Sequence, residues 1–140
     1  MPTYLTGPFQ TGTGLDNTGA DTGNVVLSQS ILLNRDATLV QSVTEVLPAG
    51  SQIINILCDV LTAFDSATSA TLTVGTAAGG TQYASGVNAK TAGRTIPTFT
   101  AAQLAAMANI GNTTSVVTTV TSVGQPTAGQ VRITIQYVQR

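Results

Sequence analysis

The sequence predicts an all-β chain folded as a sandwich. Two observations carry that expectation: segments in which apolar and polar residues alternate with a period of two, and a surface chemistry built on threonine instead of charge. Threonine is the commonest residue of the 140, and only 8% are charged, against about 25% in an ordinary soluble domain. Threonine is β-branched and hydrophilic at once, so it suits the solvated face of a sheet. With 42% hydrophobic residues, the chain has material for a packed core, and its length fits one domain.

The strongest segment is 52–76, QIINILCDVLTAFDSATSATLTVGT. Alternation predicts one strand with Ile54, Ile56, Cys58 and Val60 on an apolar face, and Ile53, Asn55, Leu57, Asp59 and Leu61 on the other. After a short polar loop, ATLTVG alternates again, with Ala70, Leu72 and Val74 inward. Upstream, residues 24–34 and 38–47 read as strands, with NRDA as the turn between them. Leu47-Pro48-Ala49-Gly50 reads as a type I turn, with Pro second and Gly fourth. Residues 75–97 form a long irregular loop with short strand pieces around 82–83 and 86–89. Such loops are often partner-facing.

One helix is predicted, in FTAAQLAAMANIG (99–111). Thr100 and Gln103 have capping-box spacing, Phe99 and Leu104 the spacing of a hydrophobic staple, and Gly111 closes the C-terminus. So short a helix needs a packing partner, and Leu104, Met107 and Ile110 are expected on the sandwich. The last strands are 113–123 and 130–138, joined by a hairpin loop at 124–129. Val131, Ile133, Ile135 and Tyr137 share one face of the last strand.

Residues 1–23 read as an extended arm, and 24–140 as a single β-sandwich domain. The arm is broken by Gly7, Gly12, Gly14, Gly19 and Gly23. Its larger apolar side chains, Tyr4, Leu5 and Phe9, are candidate anchors on a neighbouring subunit or a shell. Lys90 and Arg94 bracket a Gly-containing turn and are candidate contacts for an acidic partner.

The composition argues against several kinds of chemistry. With no histidine in the chain, a Ser-His-Asp or Cys-His arrangement is excluded, and a zinc site nearly so. Cys58, the single cysteine, reads as a buried small hydrophobe. Asp59 reads as a polar-face residue and Asp65 as a turn residue. GLDNTGADTG, with Asp16, Asn17 and Asp21, only faintly resembles a calcium loop; Asx-turn chemistry explains it as well. GTAAGGT lacks the Lys of a phosphate loop. A net charge of −1 without a basic tract argues against nucleic-acid binding. No apolar run is long enough for a spanning helix, and no membrane partner or cofactor is expected.

From about residue 39 onward, the stretches LPAGSQIINILCDV, TAFDSATSATLTVGTAAGGTQYASGV and KTAGRTIPTFTAAQLAAMANIG, with the C-terminal RITIQYV, resemble small structural proteins of tailed bacteriophages. The resemblance implies a jelly-roll-like β-sandwich without catalytic activity. It also implies a decoration (cement) protein that binds the capsid surface of the virion as a homo-oligomer, with a trimer favoured and the major capsid protein as partner. The alternative expectation is a tail or fibre component that binds a host-surface glycan.

Overall fold

The computed structural model describes residues 25–36 and 38–139. The expected arm, with Tyr4, Leu5, Phe9 and the 16–21 segment, lies outside the described residues.

Among the described residues, eight strands and one helix follow in order: β1 (Val26–Asn34), β2 (Val40–Leu47), β3 (Ser51–Thr62), β4 (Ser69–Gly75), β5 (Ala84–Asn88), β6 (Gly93–Thr95), α1 (Ala101–Ala108), β7 (Thr114–Val123) and β8 (Gln130–Gln139). They form two four-stranded sheets, β1-β8-β3-β6 and β2-β7-β4-β5, antiparallel throughout. β1 pairs with β8, β2 with β7, β3 with β6 and β4 with β5. The chain is therefore one long antiparallel ribbon folded back on itself between β4 and β5. Winding that ribbon divides its strands between two sheets, which is the strand order of a jelly roll. The expected all-β sandwich with one short helix is what the chain forms.

Most of the core follows from alternation. Val131, Ile133, Ile135 and Tyr137 of β8 are buried together, as are Ala70, Leu72 and Val74 of β4. β3 departs from the expected phase. Its pairing with β8 shifts register between Ile53 and Asn55, so Ile54 is an extra residue and the strand's phase reverses there. Ile53 is buried at 2% exposure with Ile56, Cys58 and Val60, while Ile54 is 41% exposed. Leu61 is outside, as alternation with the buried Val60 requires; a second register shift lies between Val60 and Thr62.

The 124–129 segment is not a hairpin loop, because β7 and β8 belong to different sheets. It crosses the sandwich, as does the 63–68 segment between β3 and β4, and the two crossings are tied together. The Asp65 carboxylate accepts from the backbone N–H of Thr127 (2.6 Å) and of Ala128 (3.0 Å), and from the Thr127 hydroxyl. The Thr127 hydroxyl and these two N–H groups hold the carboxyl at about 2, since hydrogen bonds to the charged form favour it. Gly124 (φ +92°) sits where a Cβ would come within 2.7 Å of the Ala67 backbone nitrogen. A side chain there would force the two crossings apart.

Helix α1 begins as its sequence requires. The Thr100 hydroxyl accepts from the Gln103 N–H (3.2 Å), and the Gln103 carboxamide oxygen accepts from the Thr100 N–H (2.9 Å). Met107 is buried, and Phe99 and Ile110 pack against the core. Leu104 is instead 52% exposed, so it does not pack on the sandwich as expected. Gln103 takes the inward place, donating to the Thr81 carbonyl at 3.1 Å. The helix stops at Ala108, with Asn109 already extended; Gly111 lies beyond the end and does not cap it. The turn after β2 is also one residue later than expected. Ser51 N–H donates to the Pro48 carbonyl (3.3 Å), and Gly50 takes φ +76°, as the third residue of a type II turn requires.

Candidate functional site

Three features bear on chemistry: the charged side chains, a cleft beside α1, and the polar groups carried inward on sheet positions.

Arg94, on β6, forms a two-pronged pair with Asp59 on β3, Nε to Oδ1 at 2.6 Å and Nη2 to Oδ2 at 3.1 Å. The Asp59 and Arg94 positions are opposite each other in the β3–β6 ladder. The pair holds the Asp59 carboxyl below the usual range and raises Arg94. Lys90 donates through Nζ to the Ser66 carbonyl at 2.5 Å. Both candidate cations are therefore engaged within the chain, each with a different partner.

A shallow open cleft of about 390 Å³ lies between the 81–82 segment and α1, lined by Thr81, Gln82, Thr100, Ala102, Gln103 and Ala106. It has no titratable side chain. The Gln103 carboxamide and the Thr100 hydroxyl on its wall are already committed to the helix cap and to Thr81. Among the described residues no three Cys, Asp or Glu side chains come close enough to hold a metal. No helix among them is long and apolar enough to cross a membrane. Cys58 is buried at zero exposure, and burial pushes its thiol up to about 12, which leaves it without thiolate character. Phe64, Tyr83 and Tyr137 are buried and Phe99 packs against the core, so these four rings are not free to act as stacking platforms for sugars.

The inner face of β2 carries a feature that the sequence reading passed over. The alternation that buries Leu47 also turns Gln41 and Glu45 inward, at 6% exposure each. Among the described residues neither Glu45 carboxylate oxygen has a hydrogen-bond partner, and neither does Gln41 Nε2 on the same strand or Ser122 Oγ on the paired strand β7. Burial alone raises the Glu45 carboxyl from 4.5 to about 7. The signal was legible: Glu45 falls in phase with Leu47 in VQSVTEVL.

The two lateral edges of the sandwich differ. One is made by β5 and β6, five and three residues long, with a register shift in the β4–β5 ladder and with Lys90 and Arg94 nearby. The other is made by β1 and β2, nine and eight residues long. β1 has no charged residue, and the single charge of β2, Glu45, points inward. Val25, Val26, Leu27, Leu39, Val40 and Val46 are exposed along or beside this edge.

Fold and site together define a class: an eight-stranded jelly-roll sandwich that offers surfaces for packing, with no cluster of catalytic groups among its described residues. Its likenesses lie in phage particles. The chain superposes on one from the structure described as the capsid of Ralstonia phage GP4, with TM-score 0.60 and 18% identity, covering 91% of this chain and 94% of that one. It also superposes on a chain of the cyanophage Pam1 capsid asymmetric unit, with TM-score 0.56 and 22% identity over the full length of both. No family model matches the sequence, and no curated protein does.

Proposed function

We infer that this chain is a structural protein of a bacteriophage particle, a decoration (cement) protein that binds the capsid surface as a homo-oligomer, with a trimer favoured. The observation that carries the reading is the fold: the same sandwich, over nearly the whole length of each chain, occurs in two phage capsid structures. The weakly charged, threonine-rich surface and the absence of a catalytic cluster among the described residues support a role in packing and not in catalysis. The mechanism is mass action. A protein that binds the assembled lattice of the major capsid protein, and not its loose subunits, stabilises the lattice. Tyr4, Leu5 and Phe9, the 75–97 segment with its short strands β5 and β6, and Lys90 and Arg94 are the proposed shell contacts.

Quantitative mass spectrometry of purified particles from the source of this gene tests the reading, with capsid and tail proteins as internal standards. Copies in the hundreds, scaling with the capsid protein, are expected. A handful of copies scaling with tail proteins would move the chain to the tail, and complete absence would remove it from the particle.

A further inference from the structure

We propose that β2 is a proton-gated edge strand: it stays docked while Glu45 is protonated, and ionisation of Glu45 releases it locally while the other strands hold. The release is distinct from global unfolding and independent of any capsid binding.

β2 is the outermost strand of its sheet, held there by a single ladder to β7. Its inner face is poorly seated. Glu45 and Gln41 are both buried, yet among the described residues the two Glu45 carboxylate oxygens and Gln41 Nε2 lack a hydrogen-bond partner. A buried polar group without a partner works against the state that buries it. A side-chain tie joins β2 to the other sheet: Gln29 of β1 donates to the Val46 carbonyl at 2.9 Å, and that bond is exposed to solvent.

Among the described residues no group neutralises a charge on Glu45. β7 beside it and β1 across the sandwich hold no charged or titratable side chain. From β8 the titratable group is Tyr137, whose hydroxyl accepts from Gln29 at 3.4 Å. Beyond the far end of β2, the Asp36 N–H donates to Gln41 Oε1 and Arg35 donates to the Asp36 carbonyl; neither bonds Glu45. An ionised Glu45 therefore needs water. Lifting an edge strand admits it by breaking one ladder, whereas lifting an interior strand breaks two. β7 keeps its ladder with β4, so the rest of the sheet stands.

The Glu45 carboxyl, raised by burial to about 7 in the docked strand, returns to its ordinary 4.5 once wetted. Docking is thus fully favoured below about 4.5 and loses that advantage as the pH rises through about 7. The ratio of released to docked strand rises on the order of a hundredfold between pH 5 and pH 8.

Amide hydrogen exchange of the purified full chain at pH 5 to pH 8, each rate divided by the intrinsic rate at that pH, tests the proposal. The β2 amides bonded to β7 should exchange at least tenfold faster than those in the middle of β8, with almost no dependence on low urea, the mark of a local opening. Their protection should fall on the order of a hundredfold from pH 5 to pH 8. Glu45→Gln should abolish that fall. Gln29→Ala, which removes the tie to Val46, should raise β2 exchange by about two- to tenfold at every pH and leave the pH dependence intact. Exchange of β2 at the rate and urea dependence of β8 would mean that Glu45 is wetted only by global unfolding, and overturns the proposal. So does β2 protection that is flat with pH, or a pH dependence that survives in Glu45→Gln.

Discussion

The inner faces of the two sheets are built from different materials. That of β1-β8-β3-β6 is almost wholly apolar through its middle: Ile53, Ile56, Cys58 and Val60 of β3 meet Val131, Ile133 and Ile135 of β8, all nearly inaccessible. That of β2-β7-β4-β5 is apolar along β4 but carries Gln41 and Glu45 on β2 and Thr118 and Ser122 on β7, all buried. Buried apolar surface contributes stability in proportion to its area, whereas a buried polar group without a partner subtracts from it. The first sheet therefore supplies the larger share of the core's stability. The second carries groups that the fold tolerates at a cost.

The largest effect should come from the apolar face. Ile135 lies at the centre of β8, opposite Gln29 of β1 and Ile56 of β3, and is fully buried. Ile135→Ala should destabilise by about 2–5 kcal/mol, the usual range for truncating a buried aliphatic side chain and leaving a cavity. Val43→Ala, at a half-buried place on β2, should cost less than half as much. Chemical denaturation of the two variants at one protein concentration measures both. Equal losses would break the contrast between the sheets.

Glu45 sharpens the contrast in the opposite direction. Its carboxyl is raised from 4.5 to about 7 in the folded chain by burial alone. The folded state therefore holds a proton that the unfolded state releases. The favourable side of this linkage is fully present below the unfolded value, near pH 4.5, and is lost as the pH rises through about 7. The penalty at pH 8 is roughly 3 kcal/mol. Stability should thus fall between pH 5 and pH 7.5. Glu45→Gln should flatten that part of the profile and raise stability at pH 8, with little change at pH 4.5. A denaturant midpoint that does not move with pH across this window would show that Glu45 is solvated when charged.

Ser122→Ala should have a smaller effect. The Ser122 hydroxyl is buried without a partner among the described residues. Removing it deletes an unsatisfied group and opens almost no volume. The expected change is a gain of up to about 1 kcal/mol. A loss of that size would mean that the hydroxyl is hydrogen-bonded in solution.

How far the sequence told these stories apart depended on range. β4 and β8 alternate without interruption, and their buried residues could be named from the pattern alone. The capping box of α1 was legible because Thr100 and Gln103 act within one turn. The phase of β3 at Ile53 and Ile54 is not legible in the sequence, because a bulge is a property of pairing with β8, more than eighty residues away, and two adjacent isoleucines give either phase an apolar face. The 124–129 segment reads as a hairpin because its Gly and Pro residues fit a turn equally well within one sheet or between two. Helical spacing predicts Leu104 inside, yet Gln103 takes that place by donating to the Thr81 carbonyl. Lys90 and Arg94 could be read as charges, but their partners Ser66 and Asp59 are set by the sandwich.

The smallest effect belongs to the outer face, where neither sheet's inner chemistry reaches. Asp59 and Arg94 meet there with good two-pronged geometry, but the Arg94 side chain is 63% exposed. Water and salt screen such a pair, and side-chain entropy opposes it. Asp59→Asn should therefore shift the melting temperature less than any substitution above, and the shift should shrink further at high salt. The sign with pH is fixed by the lowered Asp59 carboxyl. Whatever the pair contributes is present above the usual carboxylate range and is lost as the pH falls through the Asp59 value in the folded chain, opposite to Glu45. Acid titration of wild type and Asp59→Asn side by side separates the two groups. The wild type should gain stability on acidification to pH 5 through Glu45, and only below that should the variants converge as Asp59 protonates. A large Asp59→Asn effect at neutral pH and high salt would mean that β6 depends on this pair to stay on the sheet, and that the short edge is held by charge and not by its ladder.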